Sequence, residues 1–252
     1  PFRVAVIHGG PGAPGEMKPV AEELSSGRGV LEPLQTAPSI EGEVDNLRDG
    51  LEALGHIPLT LIGYSWGAWL SIIFSAIHPV LVEKVILVGC PPIKQKYASG
   101  ITEKRLNRLG EDDKEEARTL IDNLNEGSGE KREEDLLRFN ELARKADLCD
   151  PLPSAGNLTN LELEPDIYKQ VWEEAQEVRK SGELVDLIRM VESPIVAIHG
   201  DCDPHPAEGV RGPLSRNVED FRFILLKECG HTPWMERNAR EKFYAILEGV
   251  LG

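Results

Sequence analysis

Gly63-Tyr64-Ser65-Trp66-Gly67 joins a short apolar run, Leu59 to Ile62, to a helical one, Ser65 to His78. A serine on so sharp a strand-to-helix turn is held in a strained backbone conformation, its hydroxyl presented at a helix N-terminus where free N–H groups favour developing negative charge. Glycines on either side let strand and helix pass without clashing side chains. The chemistry this predicts is nucleophilic attack by Ser65. The plainer reading, a Gly-Ser-Gly turn in which Ser65 only caps a helix, is weakened by the strand before it and the helix after it.

A neutral alcohol is a poor nucleophile until an imidazole takes its proton. Of six histidines, His56 and His78 fall at predicted helix ends, His199 lies inside a strand, and His8 belongs to a glycine loop. His231 follows a strand and Gly230 near the chain end, which suits the order serine, acid, histidine that goes with such a turn; His205 is the reserve. Gly200-Asp201-Cys202-Asp203-Pro204 offers two carboxylates after the preceding strand. Asp203 is the expected acid, with enough loop to swing toward the imidazole, and Asp201 the expected shaper of the turn. The loop His8-Gly9-Gly10-Pro11-Gly12 follows the first strand, and its glycines allow close backbone approach. The N–H groups of Gly10 and Trp66 are therefore the expected donors to an oxyanion. Cys202, Asp203, His205, Cys229 and His231 fall in two loops and raise a zinc reading, but their spacings match no common zinc pattern, and no metal is expected.

These residues need a scaffold. Phe2 to Ile7, Leu59 to Ile62, Val85 to Val88, Ile195 to His199 and Phe221 to Leu226 read as strands. Pro19 to Leu24, Ile40 to Leu54, Ser65 to His78 and Ala239 to Leu251 read as helices between or after them. Strand, helix, strand in this rhythm predicts an α/β fold with a mostly parallel central sheet. From Pro91 to about Met190 apolar strands are lacking, and charged helices are predicted over Glu103 to Asn125, Glu133 to Ala146 and Ile167 to Lys180, with Asn125 to Lys131 a flexible connection. The expected organisation is a core in two parts, 1–90 and 191–252, with a helical lid inserted at 91–190. In a chain of 252 residues, 40% hydrophobic, one large core with such an insertion fits better than two independent domains. A net charge of −15 and a pI near 4.9 argue against nucleic acid and against anionic membrane surfaces. No apolar run reaches the ~20 residues of a membrane span, the N-terminus runs straight into a strand, and four cysteines without a Cys-x-x-Cys pair suit reduced thiols. A cytoplasmic location is expected.

On its His-Gly-Gly-Pro-Gly loop (His8 to Gly12) and its Ser65-Trp66-Gly67 elbow, the chain resembles the α/β-hydrolase superfamily, and within it the proline iminopeptidase-like branch. That resemblance implies Ser65 as nucleophile, Asp203 as acid, His231 as base and Gly10 with Trp66 as oxyanion donors, without a cofactor. The branch usually has a hairpin before the glycine loop, expected here to be absent or truncated. It also has an Asp-x-Arg-Gly-x-Gly segment where this chain has Gly29-Val30-Leu31-Glu32-Pro33-Leu34-Gln35-Thr36, and often a glycine where Tyr64 stands. The lid carries about seven more carboxylates than bases, and the branch binds a substrate's amino group through lid carboxylates, so Glu162, Glu164 and Glu173 are candidates for that role. Tyr64, Trp172 and Trp234 are candidate wall residues around the substrate. The expected activity is hydrolysis of a small ester or amide, on a small molecule or short peptide. Peptidase, carboxylesterase, lactonase and carbon–carbon bond hydrolase chemistry all remain open, beside a non-catalytic receptor that kept the pocket.

Overall fold

The computed structural model describes residues 2–126, 130–153 and 164–252. Six strands form one sheet: β1 (Phe2–Ile7), β2 (Gly29–Leu31), β3 (Gly55–Tyr64), β4 (Val82–Val88), β5 (Ile195–Gly200) and β6 (Phe221–Leu226), in the order β2-β1-β3-β4-β5-β6. Every pairing between them is parallel. The central strands are therefore buried on both faces and read as near-continuous apolar runs. Alternate residues feed two cores. Ala5, Ile7, Leu61, Val85, Leu87 and Ala197 face one side, and Val4, Val6, Ile62, Ile86, Val88 and Ile198 the other.

On the first side lie α2 (Ile40–Leu54), through Val44, Leu47 and Leu51, and α3 (Trp66–Ile77), which is buried almost all round. On the second lie α1 (Lys18–Ser25), through Val20 and Leu24, and the last helix, Arg240–Leu251, through Phe243 and Leu247. The start of α2 is fixed by Ser39, whose hydroxyl accepts the Gly42 N–H at 3.1 Å. Because β1 feeds a helix on one face and β3 a helix on the other, their loops diverge and leave a crevice at the carboxyl end of the sheet.

Between β4 and β5 come α4 (Ile101–Leu106), α5 (Glu111–Glu126), α6 (Glu130–Asp147), α7 (Pro165–Ser181) and α8 (Glu183–Ile188). The single helix predicted over Glu103 to Asn125 is two. The chain breaks before Gly110, whose carbonyl accepts the Lys114 N–H at 2.9 Å, and α5 restarts with Glu111, Asp112 and Asp113 on its positive end. Leu109, Ala117, Leu120, Leu142 and Ala146 make a small separate core under α5 and α6, whereas Val171, Ala175, Leu184 and Ile188 of α7 and α8 join the main one. Gly127 to Gly129, the centre of the predicted connection, lies outside the described residues. Besides α8, which follows the predicted Ile167 to Lys180 helix, two further elements go beyond the predicted set. Three residues make β2, and α9 (Glu208–Asn217) is disguised by Gly209, Gly212 and Pro213. The helix Arg240–Leu251 is α10. Among the described residues no helix is long and apolar enough to cross a membrane.

Gly67, in the first turn of α3, brings helix and sheet close: a Cβ there would stand 2.3 Å from the Ile7 carbonyl oxygen and 2.5 Å from that of His8. Backbone cannot yield as a side chain does. Gly67→Ala is expected to destabilise the fold by about 3 kcal/mol or more, measured as a lower urea midpoint.

Candidate active site

Ser65 sits between β3 and α3 with φ 50° and ψ −119°, a positive φ shared among described non-glycine residues only with Glu228. Such strain persists only where the surroundings over-determine it. Here the Ser65 N–H donates to the Val88 carbonyl at 3.0 Å, and the turn is so tight that a Cβ on Gly63 would lie 2.2 Å from the Gly67 carbonyl oxygen. The hydroxyl is left at the mouth of the crevice. Trp66, the first residue of α3, directs its backbone N–H out of the helix start.

The loops after β5 and β6 bring two more groups to the same point. His231 Nε2 lies 3.0 Å from Ser65 Oγ, and His231 Nδ1 lies 2.7 Å from Asp203 Oδ2. The His231 main chain is pinned by its N–H to the Asp147 carbonyl at 2.8 Å. Asp203 is fully buried as a side chain, and its second oxygen accepts from His205 Nδ1 at 2.7 Å and from the His205 backbone N–H at 2.9 Å. Asp201 turns elsewhere, toward the Cys229 N–H and Lys227. His205 therefore does not compete for Ser65. Its ring lies tilted by 31° against that of His231, 4.4 Å between centroids, and shares its carboxylate.

Burial works against a charged His231 ring, but the Asp203 carboxylate, by charge and hydrogen bond, outweighs it and raises the pKa above the usual 6.5. For His205 burial wins, and the pKa falls to about 4. Burial also opposes the charge on Asp203, yet His231, His205 and His199 around it hold its pKa well below the ordinary value. The result is an ionised carboxylate, a neutral His205 and a His231 whose protonated form is favoured over that of a free imidazole. Asp203, His205 and His231 also offer ligating atoms within 4.8 Å of one another, but both Nδ1 atoms are turned to the carboxylate, and neither cysteine of the zinc reading joins the group.

A cavity of about 130 Å³ opens over Ser65, and Gly10, Tyr64, Trp66 and Trp172 line it, as do His205 and His231. Trp234 does not. Its ring is turned into the second core, edge-on to Tyr64 at 4.7 Å and 5.8 Å from Phe243, because the short 3-10 turn Pro233–Met235 directs it inward. Glu173 lines a groove with α2 instead of this cavity. Glu164 precedes α7, with its backbone N–H on the Gly12 carbonyl, and is no part of the wall. Glu162 lies outside the described residues.

The charged wall is made by residues that the sequence did not single out. Arg105 of α4 grips Asp147 at the end of α6 through two bonds of 2.7 Å, and Arg144 pairs with Glu16 at 3.2 Å. Glu16 Oε2 is buried against Gly9, and burial, only partly offset by Arg144, His231 and the Gly9 backbone N–H, raises the Glu16 pKa. Gln35 joins the two sides of the crevice: its amide nitrogen donates to the His8 carbonyl and its oxygen accepts from the Trp66 indole, both at 2.8 Å. No local pattern marks these pairs, although Gln35 lies in the segment that departs from the iminopeptidase-like pattern.

A family model described as alpha/beta hydrolase family matches residues 4–245. The chain belongs to the alpha/beta hydrolase family. No curated protein matches it in sequence. This hydrolase is similar in structure to an esterase from Exiguobacterium antarcticum (TM-score 0.71, 20% identity, 100% of this chain and 92% of that one). It is also similar to a proline iminopeptidase from Mycobacterium smegmatis (0.69, 19%, 99% and 89%) and to Est816, an N-acyl homoserine lactone degrading enzyme (0.64, 13%, 99% and 93%). At these identities the likeness is one of fold.

The two histidines on one carboxylate should titrate in opposite directions. In an NMR titration of the ring protons, His231 is expected to take up its proton above pH 6.5 while His205 stays neutral until about pH 4. Asp203→Asn removes the charge that holds His231 up and should bring its midpoint down.

Proposed function

We propose that this protein is a serine hydrolase that cleaves a small ester or amide through an acyl-enzyme. The observation that carries the reading is the unbroken line from Ser65 Oγ to His231 Nε2, 3.0 Å, and from His231 Nδ1 to Asp203, 2.7 Å. His231 takes the Ser65 proton as Oγ attacks the carbonyl carbon, and the Asp203 carboxylate holds the tautomer and offsets the imidazolium charge. The N–H groups of Gly10 and Trp66 receive the oxyanion, each donor of such a pair being worth about 3 kcal/mol. His231 returns the proton to the leaving group; then a water, deprotonated by the same ring, releases the acid from Ser65.

The segment 91–190 acts as the lid: Arg105, Asn140, Arg144, Asp147, Tyr168 and Trp172 come from it and roof the cavity. A space of about 130 Å³ among charged side chains suits a short, polar acyl group better than a fatty one. The peptidase reading loses two of its expected lid carboxylates, Glu164 and Glu173, which stand away from the cavity, and keeps as its best support Glu16, a carboxyl in the cavity lining.

A fluorophosphonate probe should label the native protein at Ser65, and Ser65→Ala should not label; an unlabelled native protein would leave the non-catalytic receptor reading instead. Against p-nitrophenyl esters, turnover is expected for acetyl and propionyl groups and to fall steeply with longer chains. Turnover of these with none of aminoacyl-naphthylamides would remove the peptidase reading. Because the base must be neutral, kcat/KM should fall as pH drops through the raised His231 pKa, placing the acid limb above pH 6.5. Asp203→Asn should lower kcat by about 10⁴ and shift that limb to lower pH.

A further inference from the structure

Behind the Ser65 site, two thiols from distant parts of the chain meet. Cys149 follows α6 and is exposed; Cys202, next to Asp203, is half-buried; their Sγ atoms lie 2.7 Å apart across 53 positions of sequence. Cys90 and Cys229 are buried instead, each with its thiol on the next residue's carbonyl. A disulfide bond is about 2.05 Å long, so the first pair needs only about 0.7 Å of closure.

The backbones that carry the pair are already fixed. The Cys149 N–H donates to Glu236 Oε1 and the Cys202 N–H to the Cys229 carbonyl, both at 2.8 Å. The Cys202 carbonyl also accepts from Arg108. Both segments hold the site: Asp147, two residues before Cys149, accepts the His231 N–H, and Asp203 follows Cys202. The thiols approach each other while the Ser65, His231 and Asp203 distances are those of a competent relay, so closing the pair asks nothing of the site.

We propose that Cys149 and Cys202 form a reversible disulfide, made by exchange with a low-molecular-weight disulfide such as glutathione disulfide, that staples the end of α6 to the Asp203 loop and leaves the site in place. Cys149, the exposed member, loses its proton and attacks one sulfur of the oxidant; that S–S bond breaks and one glutathione thiolate leaves. Cys202 then loses its proton and attacks Cys149 Sγ, and the second glutathione thiolate leaves. Two thiols have given up two protons and two electrons, and the oxidant has become two thiols. The order follows from exposure, and from burial together with Cys149 and Asp201 raising the pKa of the Cys202 thiol. The closed loop runs through α7, α8 and β5, so the bond removes freedom from the unfolded chain rather than adding a contact to the folded one.

The test incubates the full chain in glutathione buffers from fully reduced to mostly disulfide, then alkylates free thiols and measures intact mass, peptide map and melting temperature. Expected are loss of two hydrogens, a cross-linked peptide joining Cys149 to Cys202, a rise in Tm of roughly 5–10 °C, and reversal by dithiothreitol. Cys149→Ser and Cys202→Ser should each abolish the cross-link and the rise. Four alkylated thiols in disulfide excess, a glutathione adduct without cross-link, or a cross-link with unchanged or lower Tm would overturn the proposal. Fluorophosphonate labelling within about twofold of the reduced protein is expected after oxidation, and a larger loss would overturn the claim that the site stays in place. A native protein that never labels but still cross-links would overturn the hydrolytic reading and leave the staple standing.

Discussion

A single buried carboxylate organises this molecule's chemistry. Asp203 has no exposed side-chain surface, and an ionised carboxylate so placed costs several kcal/mol unless its lone pairs are met. They are met by His231 Nδ1, His205 Nδ1 and the His205 backbone N–H, while His199 Nε2 stands 3.5 Å away and donates to the His205 carbonyl. The loop after β5 must therefore fold back on its own aspartate. The same bonds that offset the cost of the charge fix the plane of the His231 ring, and with it the aim of Nε2 at Ser65. Removing the carboxylate would cost orientation as well as charge.

Sheet topology explains why these groups meet where they do. In a parallel sheet the carboxyl ends of all strands share an edge, so the loops after β1, β3, β5 and β6 supply Gly10, Ser65, Asp203 and His231 to one region without any long connection. The helical segment is held to this edge by Glu236, fully buried, whose carboxylate accepts the N–H groups of Cys149, Asp150 and Gly230 at 2.8 Å each. One side chain thus ties the end of α6 to the loop carrying His231. Asp147 repeats the link from the other direction, holding His231 with its carbonyl and Arg105 with its carboxylate.

What could be read from the sequence was what depends on near neighbours. The strained turn at Ser65 is written in five consecutive residues, the run of α2 from Ile40 to Leu54 in apolar spacing and a following Gly55, and both can be read before any tertiary contact is known. Chain order along a parallel sheet fixes which loops share an edge, and this is why His231 and Asp203 can be expected near Ser65 before any contact is known. Trp234 was misplaced because nearness in sequence to His231 says nothing of which way a 3-10 turn points the ring. Glu173 was misplaced because a charged helix carries carboxylates on several faces, and only packing decides that this one borders α2. Arg105 with Asp147, and Gln35 with Trp66, are 42 and 31 positions apart and carry no local signature.

The charged pairs over Ser65 bear on what the cavity can accept. Arg105 and Asp147 satisfy each other bidentately in a nearly closed setting, and such a pair is costly to break because either partner alone would be an uncompensated buried charge. It belongs to the wall. Arg144 meets Glu16 at 3.2 Å, and the other Glu16 oxygen is buried. Glu16 also crowds the glycine loop, since a Cβ on Gly9 would fall 2.5 Å from its Oε2, so the carboxyl is fixed close to the backbone that turns past Ser65. Its other oxygen meets Arg144, and both residues line the cavity over Ser65. Two ion pairs therefore keep this wall polar, since stripping either of a partner would leave a charge uncompensated.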